Sequence, residues 1–368
     1  MIYEIETDDF ERARPLFREV AAFQPFCGAV LAGIYPGRVF VDDADRPRAG
    51  FLFREDGWCF LAGDPEAAAF NRALNEAIWS RQAVDEGLTR LLITSGPGER
   101  GRQLAAILAP REPVPARRRH YVGRELAFDG RAHLPEGAAL EPMDETLLGR
   151  QDVQVPDQVA ETIQTWRSLA GPAFHDYGFV AIVDDRVASW ATVDGVVEGF
   201  GDAGLFTLPR YRRRGLATAV SAATVAHGLA RGMKAINWTC AADNVASIRV
   251  AEKLGFARQP DYTLYFMAFD EVEHLGTLAY THLHEGRYRQ AIAIYETSID
   301  LQGNPPPWVY YDAAQAYAGL GDRQQALAYL QKSVAGGWTH VEDEAEFTIL
   351  HDTAEWATIQ QQLKKAAD

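Results

Sequence analysis

The chain has 368 residues, of which 47% are hydrophobic and 24% are charged. At about 150 residues per domain this length predicts two to three domains, and the apolar content excludes a mainly disordered chain. The formal net charge of −15 makes nucleic acid and anionic membranes poor partners, because their phosphates repel an acidic surface.

The N-terminal residues and the cysteines bear on the cellular compartment. No run of 18 apolar residues is free of charges, so we expect no membrane span. The first residues contain neither the basic nor the apolar segment of a secretory signal. Cys27, Cys59 and Cys240 are far apart and odd in number, which argues against a disulfide framework and a zinc site. We therefore expect a cytoplasmic protein that holds no metal ion.

Two similar stretches occupy the first 269 residues. Each has an aromatic strand, a turn with proline and a long Ala-rich helix, within Trp58–Trp79 in one half and Leu205–Leu229 in the other. Each continues with a second strand, a second helix and a last strand. Strands punctuated by helices are typical of α/β and α+β proteins. We predict the α+β class, with two copies of one unit in domains 1–130 and 138–269.

A basic loop in residues 204–219 is the strongest chemical signal. The segment reads as a strand, a proline-marked turn, a basic loop and an Ala-rich helix. Backbone N–H groups at a helix N-terminus are unpaired and favour an anion. Gly215 and Ala217 leave room for a pyrophosphate to approach these amides. Positive charge comes from three arginines: Arg212, Arg213 and Arg214. The alternative is a solvated basic turn without a ligand.

The pattern Arg212-x-x-Gly215-x-Ala217 after a strand resembles the acyl-coenzyme A signature of the GNAT N-acetyltransferase superfamily. About 30 residues further on, the segment Asn237–Phe256 is similar to the second motif of that superfamily. The resemblance covers Leu140–Phe269, and the whole arrangement of residues 1–269 resembles the zwittermicin-resistance type of GNAT protein. It implies tandem GNAT domains, acetyl-CoA as the cofactor, and a small-molecule amine as the acceptor.

The resemblance also implies roles for individual residues. The pantetheine arm would pair with main-chain groups of Leu205, Phe206 and Thr207. The pyrophosphate would be held by Arg212, Arg213, Arg214, Gly215, Leu216, Ala217 and Thr218. Asn244 would hydrogen-bond the pantetheine, with Ser247 one helical turn further on. Asn244 is equally suited to capping the next helix, and both roles can hold at once.

The catalytic groups are less well marked than the coenzyme site. Many GNAT enzymes have a tyrosine where this chain has Ala251, so another group must protonate the leaving thiolate if protonation is needed. We predict Tyr265 for that role; the alternatives are Tyr262, Cys240 and a water molecule. A carboxylate on the strand before the basic loop is suited to be the general base. Asp202 is the first candidate and Glu198 the second, and a solvated strand-edge carboxylate is the alternative for each.

The first half lacks the charge that a coenzyme site needs. Its counterpart of the basic loop lies in Leu61–Phe70 and contains Asp64 and Glu66 instead of arginines. These carboxylates would repel a pyrophosphate. We expect this half to be a structural or substrate-shaping partner that binds no coenzyme A.

A repeat is visible in the tail, where strand-like runs are absent and the periodicity is helical. The segment Gly286–Tyr295 is echoed by Gly321–Leu330, and a helix precedes each, at Leu275–Glu285 and Val309–Leu320. A period near 34 with glycine at the turn and alanine in the second helix resembles the tetratricopeptide repeat. We predict an all-α tetratricopeptide-like solenoid in residues 270–368, with a generic helical bundle as the alternative.

These features favour two functions. The first is an acetyl-CoA-dependent N-acetyltransferase that acts on the primary amine of a small molecule. The second is a catalytically weak acyl-CoA-binding module coupled to a repeat adaptor, favoured by the missing tyrosine and the altered first half. In either case, the repeats either bind a protein or peptide partner or pack on the acetyltransferase body. We expect neither nucleic acid nor a membrane as a partner.

Overall fold

The computed structural model describes residues 2–80, 88–96, 101–127, 134–338 and 344–367. The chain divides into two compact units, Met1–Tyr265 and Phe266–Asp368. Both predicted domains, 1–130 and 138–269, thus fall mainly within the first unit. The division between them remains a prediction from the sequence. Residues 128–133, at the predicted junction of these ranges, lie outside the described residues.

The first unit opens with six strands and four helices among the described residues. The strands are β1 (Tyr3–Ile5), β2 (Arg38–Val41), β3 (Ala49–Phe53), β4 (Trp58–Gly63), β5 (Arg90–Ser95) and β6 (Val114–Gly123). The helices are α1 (Phe10–Ala21), α2 (Pro25–Leu31), α3 (Ala68–Ile78) and α4 (Gly101–Leu108).

The second half of this unit repeats the same order of elements. The strands are β7 (Ala138–Pro142), β8 (Tyr177–Val183), β9 (Arg186–Val197), β10 (Phe200–Thr207), β11 (Ala235–Ala241) and β12 (Ala257–Ala268). The helices are α5 (Glu145–Leu148), α6 (Asp157–Leu169), α7 (Leu216–Ala230) and α8 (Val245–Lys253). The predicted α+β class with two copies of one unit is confirmed.

All twelve of these strands form one sheet, in the order β1-β2-β3-β4-β5-β12-β6-β11-β10-β9-β8-β7. The last strand of each half is exchanged: β12 lies beside β5 of the first half, and β6 lies beside β11 of the second. The pairs β4–β5 and β10–β11 are parallel, while β6 and β11 are antiparallel. The sequence showed two copies, but this exchange was not predicted.

Helices cover the second half of the sheet on both faces. Strands β8 and β9 are therefore buried along most of their length, as expected for apolar runs enclosed on two sides. On one face, Ala222 and Val225 of α7 pack against Val193 and Ile236. On the other face, Trp166 of α6 packs against Val180. In the part of the chain that the structure describes, no helix is long and apolar enough to cross a membrane.

After the end of β12, the described residues of the second unit form only helices and the turns that join them. It contains α9 (Glu271–His284), α10 (Tyr288–Gln302), α11 (Pro307–Gly319), α12 (Arg323–Ala335), a 3₁₀ turn (Ala345–Leu350) and α13 (Ala354–Ala367). Gly286 and Gly321, with φ of +72° and +84°, make the turns within the helix pairs. The first helix begins four residues before the predicted Leu275, because the Asp270 side chain accepts a hydrogen bond from the Glu273 N–H and caps it. The predicted helical repeats are confirmed.

Candidate functional site

The basic loop ends where α7 begins, and its last residue requires glycine. Gly215 is the N-cap of α7 with φ of +82°, and no side chain there caps the helix. A methyl group added to Gly215 would meet no atom within 4 Å. The first turn of α7 therefore borders open space, with helix N–H groups that need an acceptor. This is the cradle that an anionic group such as a pyrophosphate requires.

The three arginines before Gly215 are exposed and directly precede this helix start. Arg212 Nε donates to the Thr207 carbonyl at 3.3 Å, so its side chain leans back along β10. The Arg214 guanidinium lies 5.6 Å from the ring centre of Tyr211, a residue that is itself buried. Arg213 has a left-handed backbone with φ of +62°. The loop is thus shaped and positively charged as the sequence predicted.

A gap opens between the two strands next to this loop. The parallel pairing joins Phe200–Ala203 to Ala235–Trp238 and ends there, although β10 continues to Thr207 and β11 to Ala241. The edge of Leu205–Thr207 that would face β11 is therefore not paired with it. An extended arm with amide groups, such as pantetheine, fits that edge as an added strand would.

Asn244 and Ser247 lie on the far side of the same gap, at the start of α8. Asn244 is the N-cap, and its Oδ1 accepts a hydrogen bond from the Ser247 N–H at 3.0 Å. Ser247 Oγ accepts from Trp238 Nε1 at 3.0 Å. Asn244 is exposed, so its side-chain N–H groups stay available to a ligand. The capping role is shown, and it leaves room for the predicted contact with pantetheine.

Asp202 lies on β10 three residues before this edge segment. Its pairing partner on β9 is Asp194, and Gly204 pairs with Thr192, so these four residues share one face of the sheet. Ala203 points to the other face, where it packs against the core below α7. A methyl group on Gly204 would lie 2.6 Å from Thr192 Oγ1 and 3.7 Å from Asp194 Oδ2. The predicted alternation is confirmed, and the Thr192 hydroxyl fills the space that a side chain at residue 204 would need.

Asp202 has the surroundings of a proton acceptor. Its Oδ1 is buried, and no hydrogen-bond partner for that atom exists among the described residues. Burial and then the charge of Asp194 raise the pKa of Asp202 to about 7, against the opposing effect of Arg118. A carboxylate that ionises near neutral pH is well matched to general-base work.

Asp194 is a candidate site residue that sequence reasoning missed. Trp166 Nε1 donates to its Oδ1 at 3.0 Å, and the Thr192 hydroxyl donates to its Oδ2. Burial and then the charge of Asp176 raise the pKa of Asp194 to about 7. The available signal was one acidic residue inside the largely apolar strand Arg186–Val197.

The first half contributes side chains to this face. Tyr35 donates from its hydroxyl to Asp176, whose carboxylate also accepts from the N–H groups of Gly195 and Val196 at 2.9 and 2.8 Å. The Arg54 guanidinium lies near the Tyr35 ring, 5.3 Å from its centre. The first half is therefore placed to shape the site, although the expectation that it binds no coenzyme A stays untested.

The structure favours Tyr262 over Tyr265 as the candidate proton donor. The ring of Tyr262 lies 6.5 Å from that of His120, which contacts Asn237 Oδ1 at 3.0 Å on the face of Asp202. Asp202 also contributes to the raised pKa of Tyr262, whose main cause is burial. Tyr265 lies three residues further along β12, and strand alternation directs it to the opposite face. The role of Tyr265 stays a prediction, with Tyr262 as the alternative that lies nearer to Asp202.

Glu198 occupies a different environment from Asp202. It lies in the turn between β9 and β10 with φ of +53°. Its side chain is 69% exposed and forms an ion pair with Arg14 at 3.3 Å. Asp202 therefore stays the first candidate for the general base and Glu198 the second.

The buried carboxylates predict an unusual dependence of stability on pH. Asp194 and Asp202 ionise near pH 7 when folded, whereas an unfolded aspartate ionises near pH 3.9. A pKa raised by folding stabilises the protein fully below the unfolded value, and this contribution is lost as pH rises through the folded value. The contribution of these two carboxyl groups to the free energy of unfolding should therefore fall between about pH 4 and pH 7.

Urea unfolding of the wild type and of Asp202→Asn checks this expectation. At pH 8 the variant should be more stable by about 1–3 kcal/mol, because the cost of burying one charge is gone. Below pH 4 the two proteins should have similar stability. Equal stability at pH 8 would contradict the assignment of a buried charge to Asp202.

Comparison with known proteins agrees with this geometry. The sequence model of the GNAT acetyltransferase family matches residues 14–265, and that of the tetratricopeptide repeat matches 275–305 and 309–335. The uncharacterized N-acetyltransferase YdfB of Bacillus subtilis (strain 168) is 27% identical over 241 residues, which are 66% of this chain and 89% of that protein.

Two solved structures share the fold at a TM-score of 0.50 each. One is a GCN5-related N-acetyltransferase-like protein from Streptococcus suis 89/1591, 18% identical, covering 70% of this chain and 98% of that one. The other is a tandem GNAT protein from the clavulanic acid biosynthesis pathway, 14% identical, covering 73% of this chain and 98% of that one. At these identities the likeness concerns the fold alone.

Proposed function

The chain belongs to the GNAT acetyltransferase family and is an N-acetyltransferase, and we propose that it transfers the acetyl group of acetyl-CoA to the primary amine of a small molecule. One observation carries the proposal: the strand gap, the arginine loop and the buried Asp202 all lie along β10 and its continuation into α7. A coenzyme arm in the gap and an amine beside Asp202 would thus meet at one strand.

The coenzyme is assigned to the second half. Acetyl-CoA supplies an acetyl group that is activated as a thioester. The arginine loop and the first turn of α7 would hold its pyrophosphate by charge-assisted hydrogen bonds. The edge of Leu205–Thr207 and the side chain of Asn244 would hold the pantetheine from the two sides of the gap. Main-chain N–H groups of the same edge are placed to polarise a carbonyl oxygen.

The amine is assigned to the face that carries Asp202 and Gly204. An acidic protein attracts a cationic acceptor, and the buried carboxylate offers the ammonium a partner. Asp202 Oδ1 takes a proton from the ammonium, which frees the nitrogen lone pair for attack. The charge of Asp202 contributes to the raised pKa of Tyr262. This tyrosine is the candidate to protonate the departing sulfur.

One observation favours the second candidate, a catalytically weak acyl-CoA-binding module coupled to a repeat adaptor. Ala251, which stands where many GNAT enzymes have a tyrosine, is fully buried in the core beside Trp238. No hydroxyl is available at that position. Under either function, we propose a cytoplasmic protein whose repeats bind a protein or peptide.

Release of free coenzyme A with a panel of amines tests the proposal. Polyamines, aminoglycosides and amino-acid amines are each supplied with acetyl-CoA, and the thiol is measured against a reaction without amine. We expect turnover with at least one class and tight coenzyme binding throughout. Binding without turnover across the panel would support the adaptor instead, and absence of binding would reject both functions.

A further inference from the structure

Buried polar atoms without hydrogen-bond partners gather on one face of the sheet. Two of them are donors, Arg118 Nε and Asn237 Nδ2, and one is an acceptor, Asp202 Oδ1; none has a partner among the described residues. Buried polar atoms in proteins are nearly always paired, so a group of unpaired ones needs an explanation. A ligand that brings both acceptors and donors to this face would supply one.

Strand register places these three residues on the same face. Asp202 pairs with Asn237, and two residues further along β11, Thr239 pairs with His120 on β6. Residues that pair across strands share a face, and so do residues two apart on one strand. Arg118 is two residues from His120, so it lies on the face of Asp202 and Asn237. This face therefore carries one acidic and one basic side chain.

Arg118 differs from the arginine on either side of it. Arg117 and Arg119 point to the opposite face, where they form ion pairs with Asp261 at 3.4 and 2.6 Å. The side chain of Arg118 forms no ion pair with any residue that the structure describes, Asp202 included. A partly buried guanidinium without a counterion has lost hydration and gained no partner, which is rare in proteins. Arg118 therefore calls for an anionic group from outside the chain.

Asn237 adds a second donor whose direction is fixed. Its side chain is 2% exposed, and its Oδ1 contacts His120 Nε2 at 3.0 Å. The amide thus uses its oxygen towards His120 and leaves Nδ2 without an acceptor. A buried donor without an acceptor is costly. The site therefore favours a ligand with oxygen atoms that Asn237 and Arg118 can both reach.

The same face is open to solvent at its border. Phe23, in the joint between α1 and α2, lies 6.1 Å from the ring of His120 and 5.2 Å from that of Tyr262. Phe23, Arg118, Asp202 and Tyr262 are each partly exposed, so a small molecule can approach this face. The pairing of β10 with β11 ends one residue after Asp202. The unpaired atoms therefore lie where the gap assigned to the pantetheine arm begins.

We infer that Arg118 and Asn237 bind a carboxylate group of the acceptor, which makes the acceptor an amino acid. This inference rests on the proposed function and names its substrate class. The guanidinium offers parallel N–H donors that match the two oxygens of a carboxylate, and Asn237 adds a further donor. With its amine beside Asp202, such a molecule sets each of its charges against the opposite charge of the protein. A diamine would instead bring a second positive charge towards Arg118.

Matched pairs of acceptors test the carboxylate site. Lysine is compared with lysinamide and cadaverine, and β-alanine with β-alaninamide, by release of coenzyme A from saturating acetyl-CoA. In the wild type, kcat/KM should be about 10-fold to 100-fold higher for each acid than for its amide, because the amide loses a charge-assisted contact. The ratio of acid to amide, compared between wild type and variants, is the readout, since effects common to both acceptors cancel in it.

Three variants assign the preference to Arg118. Arg118→Gln should bring the ratio of acid to amide down by about 10-fold to 100-fold, because the charge and the paired donors are gone. Arg118→Lys should keep part of the ratio, since lysine retains the charge without the parallel donors. Arg117→Gln is the matched control, an exposed arginine next in the chain that faces the other way. Its ratio should equal that of the wild type.

A binding measurement without turnover separates this inference from the proposed function. Full-length protein saturated with coenzyme A, which has no acetyl group to transfer, is titrated calorimetrically with each acid and each amide. The wild type should bind the acids about 10-fold to 100-fold more tightly than the amides, and Arg118→Gln should not distinguish them. Thermal unfolding of the free variants checks the fold, which should persist because Arg118 has no ion pair to lose.

Each outcome decides one of the two claims. Absence of binding by the acids, no preference of the wild type for them, or an unchanged preference in Arg118→Gln would overturn the carboxylate site. Turnover of simple amines alongside any of these results would leave the acetyltransfer proposal standing. Preferential binding of the acids that depends on Arg118, without turnover of any amine, would reject acetyl transfer and retain the carboxylate site. If Arg118→Gln does not fold, Arg118→Lys still tests the preference.

Discussion

Replacing Asp202 with asparagine is expected to lower kcat by about 10²–10⁴-fold while the affinity for acetyl-CoA stays nearly unchanged. The amide keeps the size of the side chain but cannot accept the proton of the ammonium. Asp202 lies before the edge segment that faces the strand gap, so the coenzyme contacts remain. The rate of the variant should recover only at pH values that deprotonate the amine in solution. Steady-state kinetics between pH 6 and about pH 10 measure this profile.

The control for this experiment is Asp185→Asn, which removes an exposed carboxylate from the turn before β9. It should retain the rate and the pH profile of the wild type. Wild-type kcat in Asp202→Asn would remove this residue from the mechanism. A loss of rate in Glu198→Gln together with that result would transfer the role to the exposed carboxylate.

Reversing the charge of the arginine loop is expected to abolish tight binding of acetyl-CoA. Arg212→Glu combined with Arg214→Glu replaces two phosphate donors with two repulsive charges. Charge-assisted hydrogen bonds are worth about 1.5–3 kcal/mol each, so the affinity should fall by at least 3 kcal/mol. Both side chains are exposed, and the buried Tyr211 anchors the loop, so the fold should persist. Isothermal titration calorimetry with acetyl-CoA measures the loss.

The matched variant lies in the first half. Asp64→Ala combined with Glu66→Ala changes the turn before α3, which corresponds to the arginine loop before α7. It should leave the affinity and the stoichiometry of one site per chain unchanged. Two equivalent sites per chain in the wild type would contradict the assignment of the coenzyme to the second half alone.

Local sequence patterns predicted the parts of the molecule that depend on neighbouring residues. Gly286 and Gly321 mark turns that require a left-handed backbone, so the helix pairs of the tail were visible as a repeat. Gly215 has the same requirement before a long helix, and three arginines precede it. In each case the local structure depends on a few consecutive residues, so it can be predicted from the sequence without knowledge of the fold.

The remaining parts depend on contacts between distant segments. Asp194 gains its importance only from Trp166, which lies on another element, and from its pairing with Asp202. Sequence alone shows it as one acidic residue in a largely apolar strand. Tyr262 and Tyr265 are equally plausible by spacing, and only their opposite faces on β12 separate them. Strand pairing has no local marker of this kind, which is why the exchange of β6 and β12 was not predicted.

That exchange of strands has a consequence for how the protein is made. On the ribosome, β5 is synthesised long before β12, yet in the finished sheet these two strands are neighbours. The pairing of β5 with β12 can therefore form only after the second half has been synthesised. Separating the two halves would therefore leave β5 without β12 and β11 without β6.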